Sequence, residues 1–258
     1  TGMSDAASRQ QAVSAWFAEL RDRLCAAFET LEDELTGTQR DRPPGRFERI
    51  ATERPGGGGG VMSVMRGRVF EKVGVNVSTV FGELSPEQRQ LAGGDAGGTQ
   101  FWASGISLVA HMQSPKVPAV HMNTRHFMTE QGWFGGGADL TPMVEDAADA
   151  ADFHAALKQA CDRHAADYYP RFKQWCDEYF YLPHRKEARG IGGIFFDRLS
   201  SSDWAADFAF VRDVGLALLD VYPRLVRRHM NEPWSAAERE HQLVRRGRYV
   251  ELHLLYDR

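Results

Sequence analysis

The residues best equipped for chemistry crowd into one stretch, Ser104 to Pro142, which reads SGISLVAHMQSPKVPAVHMNTRHFMTEQGWFGGGADLTP and carries Ser107, His111, His121, Asn123, Arg125 and Asp139. In an extended strand, residues two apart share a face. Over Val117 to Phe127 this puts Val117, Ala119, His121, Asn123, Arg125 and Phe127 on one face, with Pro118, Val120, Met122 and Thr124 on the other. Over Phe101 to His111 it puts Ser107 and His111 together. The Ser-Pro-Lys-Val-Pro segment between the two runs reads as a turn, which makes them a hairpin with those five polar residues on one surface. Trp133 to Asp139, with its three glycines, reads as a flexible turn that returns Asp139 over that surface. Ionisable groups placed among apolar ones are costly unless something satisfies them, so the pattern points to a polar ligand. The competing reading is the wet face of an ordinary antiparallel sheet.

Each residue type suggests a task and has a structural alternative. Imidazole titrates nearest neutral pH and is the commonest metal ligand. Among the nine histidines, however, no pair has His-x-x-x-His spacing, and a half-buried, hydrogen-bonded histidine is the alternative. The Arg125 guanidinium can grip a carboxylate with two parallel charge-assisted hydrogen bonds, with Asn123 and the Thr124 backbone as neighbouring donors. A surface salt bridge is the alternative there. Asp139 after the glycines can act as acceptor or base, or simply cap a turn at Leu140-Thr141-Pro142. Trp133, Phe134, Trp175, Tyr179, Phe180 and Tyr181 would line an apolar site or belong to the core.

These residues need a scaffold of adequate size, and 258 residues suffice for one large domain. A net charge of −4 argues against a general nucleic-acid or anionic-membrane binder. Cys25, Cys161 and Cys176 form an odd set without a Cys-x-x-Cys pair, which reads as a reduced chain of the cytosol with neither disulfides nor a zinc finger. No apolar run approaches the roughly 18 residues of a membrane span. No signal sequence is seen, and Thr1-Gly2 precede a Met3 that reads as the native start.

Residues 5–35 repeat Val13, Trp16, Phe17, Leu20, Leu24, Phe28, Leu31 and Leu35 at helical spacing, predicting an amphipathic N-terminal helix. Residues 36–60 read as loop, and the glycines at 56–60 as a surface loop, since no Gly-Lys-Ser/Thr follows them. Residues 61–70 and 73–81 read as strands and 84–100 as a polar loop. Residues 146–182 read as one or two helices broken near Tyr169-Pro170, 190–199 as a buried strand, and 203–230 as a helix containing Pro223. Ser235 to Glu238 is a capping box opening a helix to about Arg246, and Arg248 to Tyr256 reads as a last strand. No repeat or linker divides the chain. The expected fold is α+β: a single domain over residues 1–258, with a large antiparallel sheet flanked by helices on both faces.

The blocks SGISLVAHMQSPKVPAVHMNTR, WFGGGADLTP, YYPRFKQWCDEYFYLPHRKEARGIGGIFFD and QLVRRGRYVELHLLYDR, in that order from about Val61 to Arg258, resemble the oxygen-dependent coproporphyrinogen III oxidases. The resemblance implies a broad antiparallel sheet with a deep substrate cleft, a homodimer, and a chain that continues past Tyr256-Asp257-Arg258. It implies oxidative decarboxylation of two propionates of coproporphyrinogen III to vinyl groups, giving protoporphyrinogen IX, with O2 taking up the electrons as hydrogen peroxide and no organic cofactor. It places a divalent cation at His111, His121, His154 and His184 and makes His121 a proton donor. Ser107, Asn123, Thr124 and Arg125 become substrate contacts, and Asp139 a base near the pyrrole N–H groups. Two other functions are weighed beside it: a metal-dependent oxygenase using the histidines, and a non-catalytic tetrapyrrole-binding protein.

Overall fold

The computed structural model describes residues 2–91, 99–182, 187–188 and 190–255. A long helix α1 (Gly2–Asp33) is followed by strands β1 (Glu48–Glu53), β2 (Gly58–Met65) and β3 (Phe70–Glu83), then a short helix α2 (Pro86–Leu91). Strands β4 (Gln100–Met112), β5 (Ala119–Met128) and β6 (Gly132–Thr141) come next, then helices α3 (Ala147–Asp162) and α4 (Tyr168–Tyr179). A small pair, β7 (Tyr181–Leu182) and β8 (Glu187–Ala188), precedes β9 (Gly192–Leu199), α5 (Trp204–His229) and α6 (Ala236–Leu255). Seven strands form one antiparallel sheet in the order β1-β2-β3-β4-β5-β6-β9, so the architecture is the expected α+β domain.

Strict alternation organises this sheet. On β4 and β5 the even-numbered residues Ile106, Leu108, Ala110, Met112, Val120 and Met122 are buried against α1 and α5, and the odd-numbered ones face the other way. The helical repeat read in residues 5–35 supplies the matching surface, with Phe17, Leu20, Leu31 and other repeat members fully covered. Phe28 packs edge-on against Phe70, and Tyr222 of α5 donates to the Pro118 carbonyl at 2.8 Å. Glu32 of α1 is a buried carboxylate cradled by backbone N–H groups of Gly45 (2.7 Å), Arg68 (2.7 Å), Val69 (2.7 Å) and Phe70 (3.0 Å). It pins the start of β3 to the helix layer, because ion–dipole hydrogen bonds are about twice as strong as neutral ones.

Several local expectations are corrected. The glycines at 56–60 form a tight β1–β2 turn and the first residues of β2, with Gly56, Gly57 and Gly58 at positive φ. Residues 48–53 and 86–91 are a strand and a short helix rather than loop. The break in 146–182 falls between α3 and α4, and Pro170 sits in the first turn of α4, where its missing N–H costs nothing. The capping box at Ser235 is formed by two reciprocal hydrogen bonds to Glu238, and α6 then runs on through residues 248–255, which were expected to be a strand. The Trp133 to Asp139 segment is strand β6 rather than a turn, paired along both sides.

Candidate active site

The sheet face turned away from α1 and α5 carries the polar residues singled out from the sequence. Cross-strand register sets Ser107 of β4 opposite Asn123 of β5, and Gly105 opposite Arg125. His121 lies opposite Val109, and His111 two residues further along β4, so both histidines share the face as diagonal neighbours. Ser107, His111, His121, Asn123 and Arg125 are all at least partly accessible, while their even-numbered neighbours are buried. Thr124 faces the other way, as the alternation predicts: its side chain points into the core, fully buried, and the donor expected of it is its backbone, on a residue in register with both β4 and β6.

Asp139 reaches this face as a strand residue. It lies directly across from His121 in the β5–β6 register, and its carboxylate is 2.8 Å from His121 Nδ1. The aspartate is only 3 % exposed, and the His121 side chain is 17 % exposed. A carboxylate on Nδ1 holds the proton there and leaves Nε2 to exchange a proton with whatever enters. Phe180, at the end of α4, stands edge-on to the His121 ring at 6.3 Å. Tyr179 stacks on Phe195 at 4.6 Å, and Trp175 meets Phe195 edge-on. Phe195 pairs with Gly137 on β6, so these aromatics wall the face beside the His121–Asp139 pair. Phe134 belongs instead to the core, stacked on His126.

Arg125 lies two residues along β5 from Asn123. Its Nη2 donates to Asp197 Oδ1 of β9 at 3.1 Å. Beyond it the face opens into a cavity of about 320 Å³ lined by Phe101, Phe127, Trp133, Leu84 and Leu91 among others. A cation thus sits where a polar row meets an apolar recess, a suitable place for a carboxylate carried on an apolar body.

Two members of this face went unnoticed in the sequence. Asn76 of β3 is in register with Ser107, so Asn76, Ser107 and Asn123 form one row across three strands. The amide oxygens of Asn76 and Asn123 are buried without a hydrogen-bond partner among the described residues. The Val-Gly-Val-Asn-Val alternation in β3 was the signal that could have found Asn76. Asp197 is the other, and only the β6–β9 pairing reveals it.

Among the described residues, the histidines expected to share one ion do not gather around a common point. Metal–nitrogen bonds of about 2.0–2.1 Å require the ligand nitrogens to lie close together. His111, His121 and His154 do not form a cluster with ligand atoms within 4.8 Å of one another; the one such cluster among the described residues is Asp146, Asp149 and His229, at the junction of α3 and α5. That cluster is knit into hydrogen bonds of its own: His229 lies 2.6 Å from Asp149 and 3.0 Å from Glu232, and Arg228 bridges Asp149 and Asp152. His154 sits on α3 with its Nδ1 buried and without a hydrogen-bond partner among the described residues, and burial lowers its pKa. His184 lies outside the described residues. The described histidines therefore do not fit the single divalent cation expected at the four positions.

The three cysteines are buried free thiols, and desolvation pushes Cys161 up to about 12. No helix among the described residues is long and apolar enough to cross a membrane.

Comparison with known proteins shows the family of the chain. The sequence profile of the family described as coproporphyrinogen III oxidase matches residues 12–258. A protein of Rickettsia bellii named oxygen-dependent coproporphyrinogen-III oxidase is 56% identical over 250 residues, covering 96% of this chain and 89% of its own. A protein of Rickettsia conorii with the same name is 55% identical with the same coverage.

Proposed function

The chain belongs to the coproporphyrinogen III oxidase family, and we propose that the polar sheet face converts coproporphyrinogen III to protoporphyrinogen IX with molecular oxygen as oxidant, a step of haem biosynthesis. Two propionates each lose carbon dioxide and become vinyl groups, and oxygen accepts the electrons. The observation that carries this reading is the 2.8 Å contact of His121 Nδ1 with Asp139, two strand positions from Asn123 and four from Arg125 on one face. A porphyrinogen presents pyrrole N–H donors at its centre and carboxylates at its rim, and this face offers acceptors and a proton-exchanging pair beside a cation.

Arg125 holds a propionate by charge-assisted hydrogen bonds, fixing the carbon chain that must react. Ser107, partly accessible between Asn76 and Asn123 in the row across three strands, accepts from a pyrrole N–H group, and Asn123 offers its amide N–H to the propionate beside Arg125. Asp139 is too buried to meet the ring directly, so it acts through the imidazole: it keeps the proton on Nδ1, and Nε2 takes or returns the proton that moves as the pyrrole reacts. Tyr179, Phe180 and Phe195 exclude water along one wall. No step passes through a cation at the histidines. The buried thiols support a reducing compartment such as the cytosol, and the homodimer implied by the resemblance belongs to the same proposal.

The test is incubation of the purified protein with coproporphyrinogen III under air and under argon, with and without chelator. Vinyl product with oxygen uptake, dependent on air and indifferent to chelator, is expected. Tight binding without oxygen uptake would favour a tetrapyrrole carrier, and abolition by chelator a metal-dependent oxygenase.

A further inference from the structure

Arg125 would be a poor anchor if its guanidinium swung freely, since its side chain is 45 % exposed. Three features restrain it. Asp197 Oδ1 accepts from Arg125 Nη2 at 3.1 Å and also from the backbone N–H of Arg198 at 2.9 Å, so the acceptor is itself held by the main chain. The β6–β9 register slips between Phe134 and Gly136, so that Asp197 and Arg198 together face the single residue Gly135; Arg198 takes a left-handed φ of 51° to do so. Such a bulge re-aims a side chain at the cost of local strain. Gly135 completes the arrangement: a Cβ there would lie 2.7 Å from Asp197 Oδ1, 3.1 Å from Arg125 Nη2 and 3.2 Å from Arg125 Nε. The guanidinium edge therefore lies over bare glycine backbone. Arg198 is tied down in turn by its hydrogen bond to the Leu91 carbonyl at 2.8 Å.

We propose that Asp197, on its bulge over Gly135, is a positioning residue that orients Arg125 toward the substrate carboxylate. The inference rests on the carboxylate-clamp reading of Arg125. Asp197 occupies one Nη2 hydrogen and leaves the remaining guanidinium donors for a propionate. Its charge also competes mildly with that propionate, so its loss harms orientation rather than affinity.

The test is a double-mutant cycle with steady-state kinetics on coproporphyrinogen III. Asp197→Ala is expected to lower kcat about ten- to a hundredfold, the scale of an ångström-sized misplacement, without raising KM. Asp197→Asn keeps the acceptor oxygen and should restore most of the rate. In an Arg125→Ala background, Asp197→Ala should change kcat less than twofold. The pair is half-exposed, so melting temperatures should stay near wild type. Unchanged kcat in Asp197→Ala, a raised KM with kcat intact, or the same loss in both backgrounds would overturn the inference. Wild-type kinetics in Arg125→Ala would instead overturn the clamp on which it rests.

Discussion

Replacing Arg125 with alanine should remove most of the turnover and leave the fold standing. The two effects separate because, among the described residues, the side chain makes one half-exposed ion pair, with Asp197, and exposed pairs contribute about 0–1 kcal/mol to stability. A bound propionate would receive two charge-assisted hydrogen bonds, each worth about 1.5–3 kcal/mol. With the guanidinium 45 % exposed, solvent screening reduces that sum of about 3–6 kcal/mol to about 2–4 kcal/mol. At about 1.4 kcal/mol per decade this is roughly a 30- to 1,000-fold loss in kcat/KM. The assay is the initial rate of vinyl product against coproporphyrinogen III concentration, with a thermal melt of the same sample. A folded Arg125→Ala protein within about threefold of wild-type kcat/KM would refute the reasoning.

Glu32→Gln should destabilise strongly without touching the chemistry: the amide turns a donor toward buried N–H groups, costing about 3–6 kcal/mol out of a typical 5–15, read by urea unfolding beside activity at low temperature. Thr124→Val should leave turnover unchanged and stability equal or about 1 kcal/mol higher, because it keeps the backbone donor and removes a buried hydroxyl without a hydrogen-bond partner among the described residues; a loss of turnover would give the hydroxyl itself a part in the site. His126 is buried, sits 2.8 Å from the Trp133 carbonyl through Nδ1 and accepts from Trp204 through Nε2, and burial lowers its pKa to about 4. Its contribution to stability is complete above the unfolded value near 6.5 and is lost as pH falls from there toward 4, by up to about 1.4 kcal/mol per pH unit. An NMR titration of the His126 ring with its midpoint near 6.5 would contradict this.

Alternation made much of the site legible. In β4 and β5 the residues from 104 to 112 and from 120 to 126 at even positions are buried and mostly apolar, and a period of two sorts Ser107, His111, His121, Asn123 and Arg125 onto the other face without knowledge of the partner strands. The α1 repeat was equally clear, because its apolar positions recur at helical spacing. Failures came where local signals and tertiary pairing disagree. Gly135, Gly136 and Gly137 look like a turn, yet neighbouring strands on both sides hold them extended. The helix α6 was cut short because residues 248–255 alternate in a strand-like way, whereas the helix opened by the Ser235 cap simply continues through them. The Asp139–His121 and Asp197–Arg125 contacts join strands 18 and 72 residues apart in sequence, and no periodicity within one strand encodes such a meeting.

The central claim is that the His121–Asp139 pair moves the proton on which oxidative decarboxylation depends. Asp139→Asn tests it most directly, since the amide keeps the volume of a nearly buried side chain and removes its charge. The measurement is kcat for vinyl product under air, paired with the dissociation constant for coproporphyrinogen III under argon. The account predicts a kcat lower by about 10²–10⁴-fold, the usual range for losing general acid–base catalysis, with binding changed only a few-fold. Weakened binding with kcat intact would contradict it and leave Asp139 a ground-state contact.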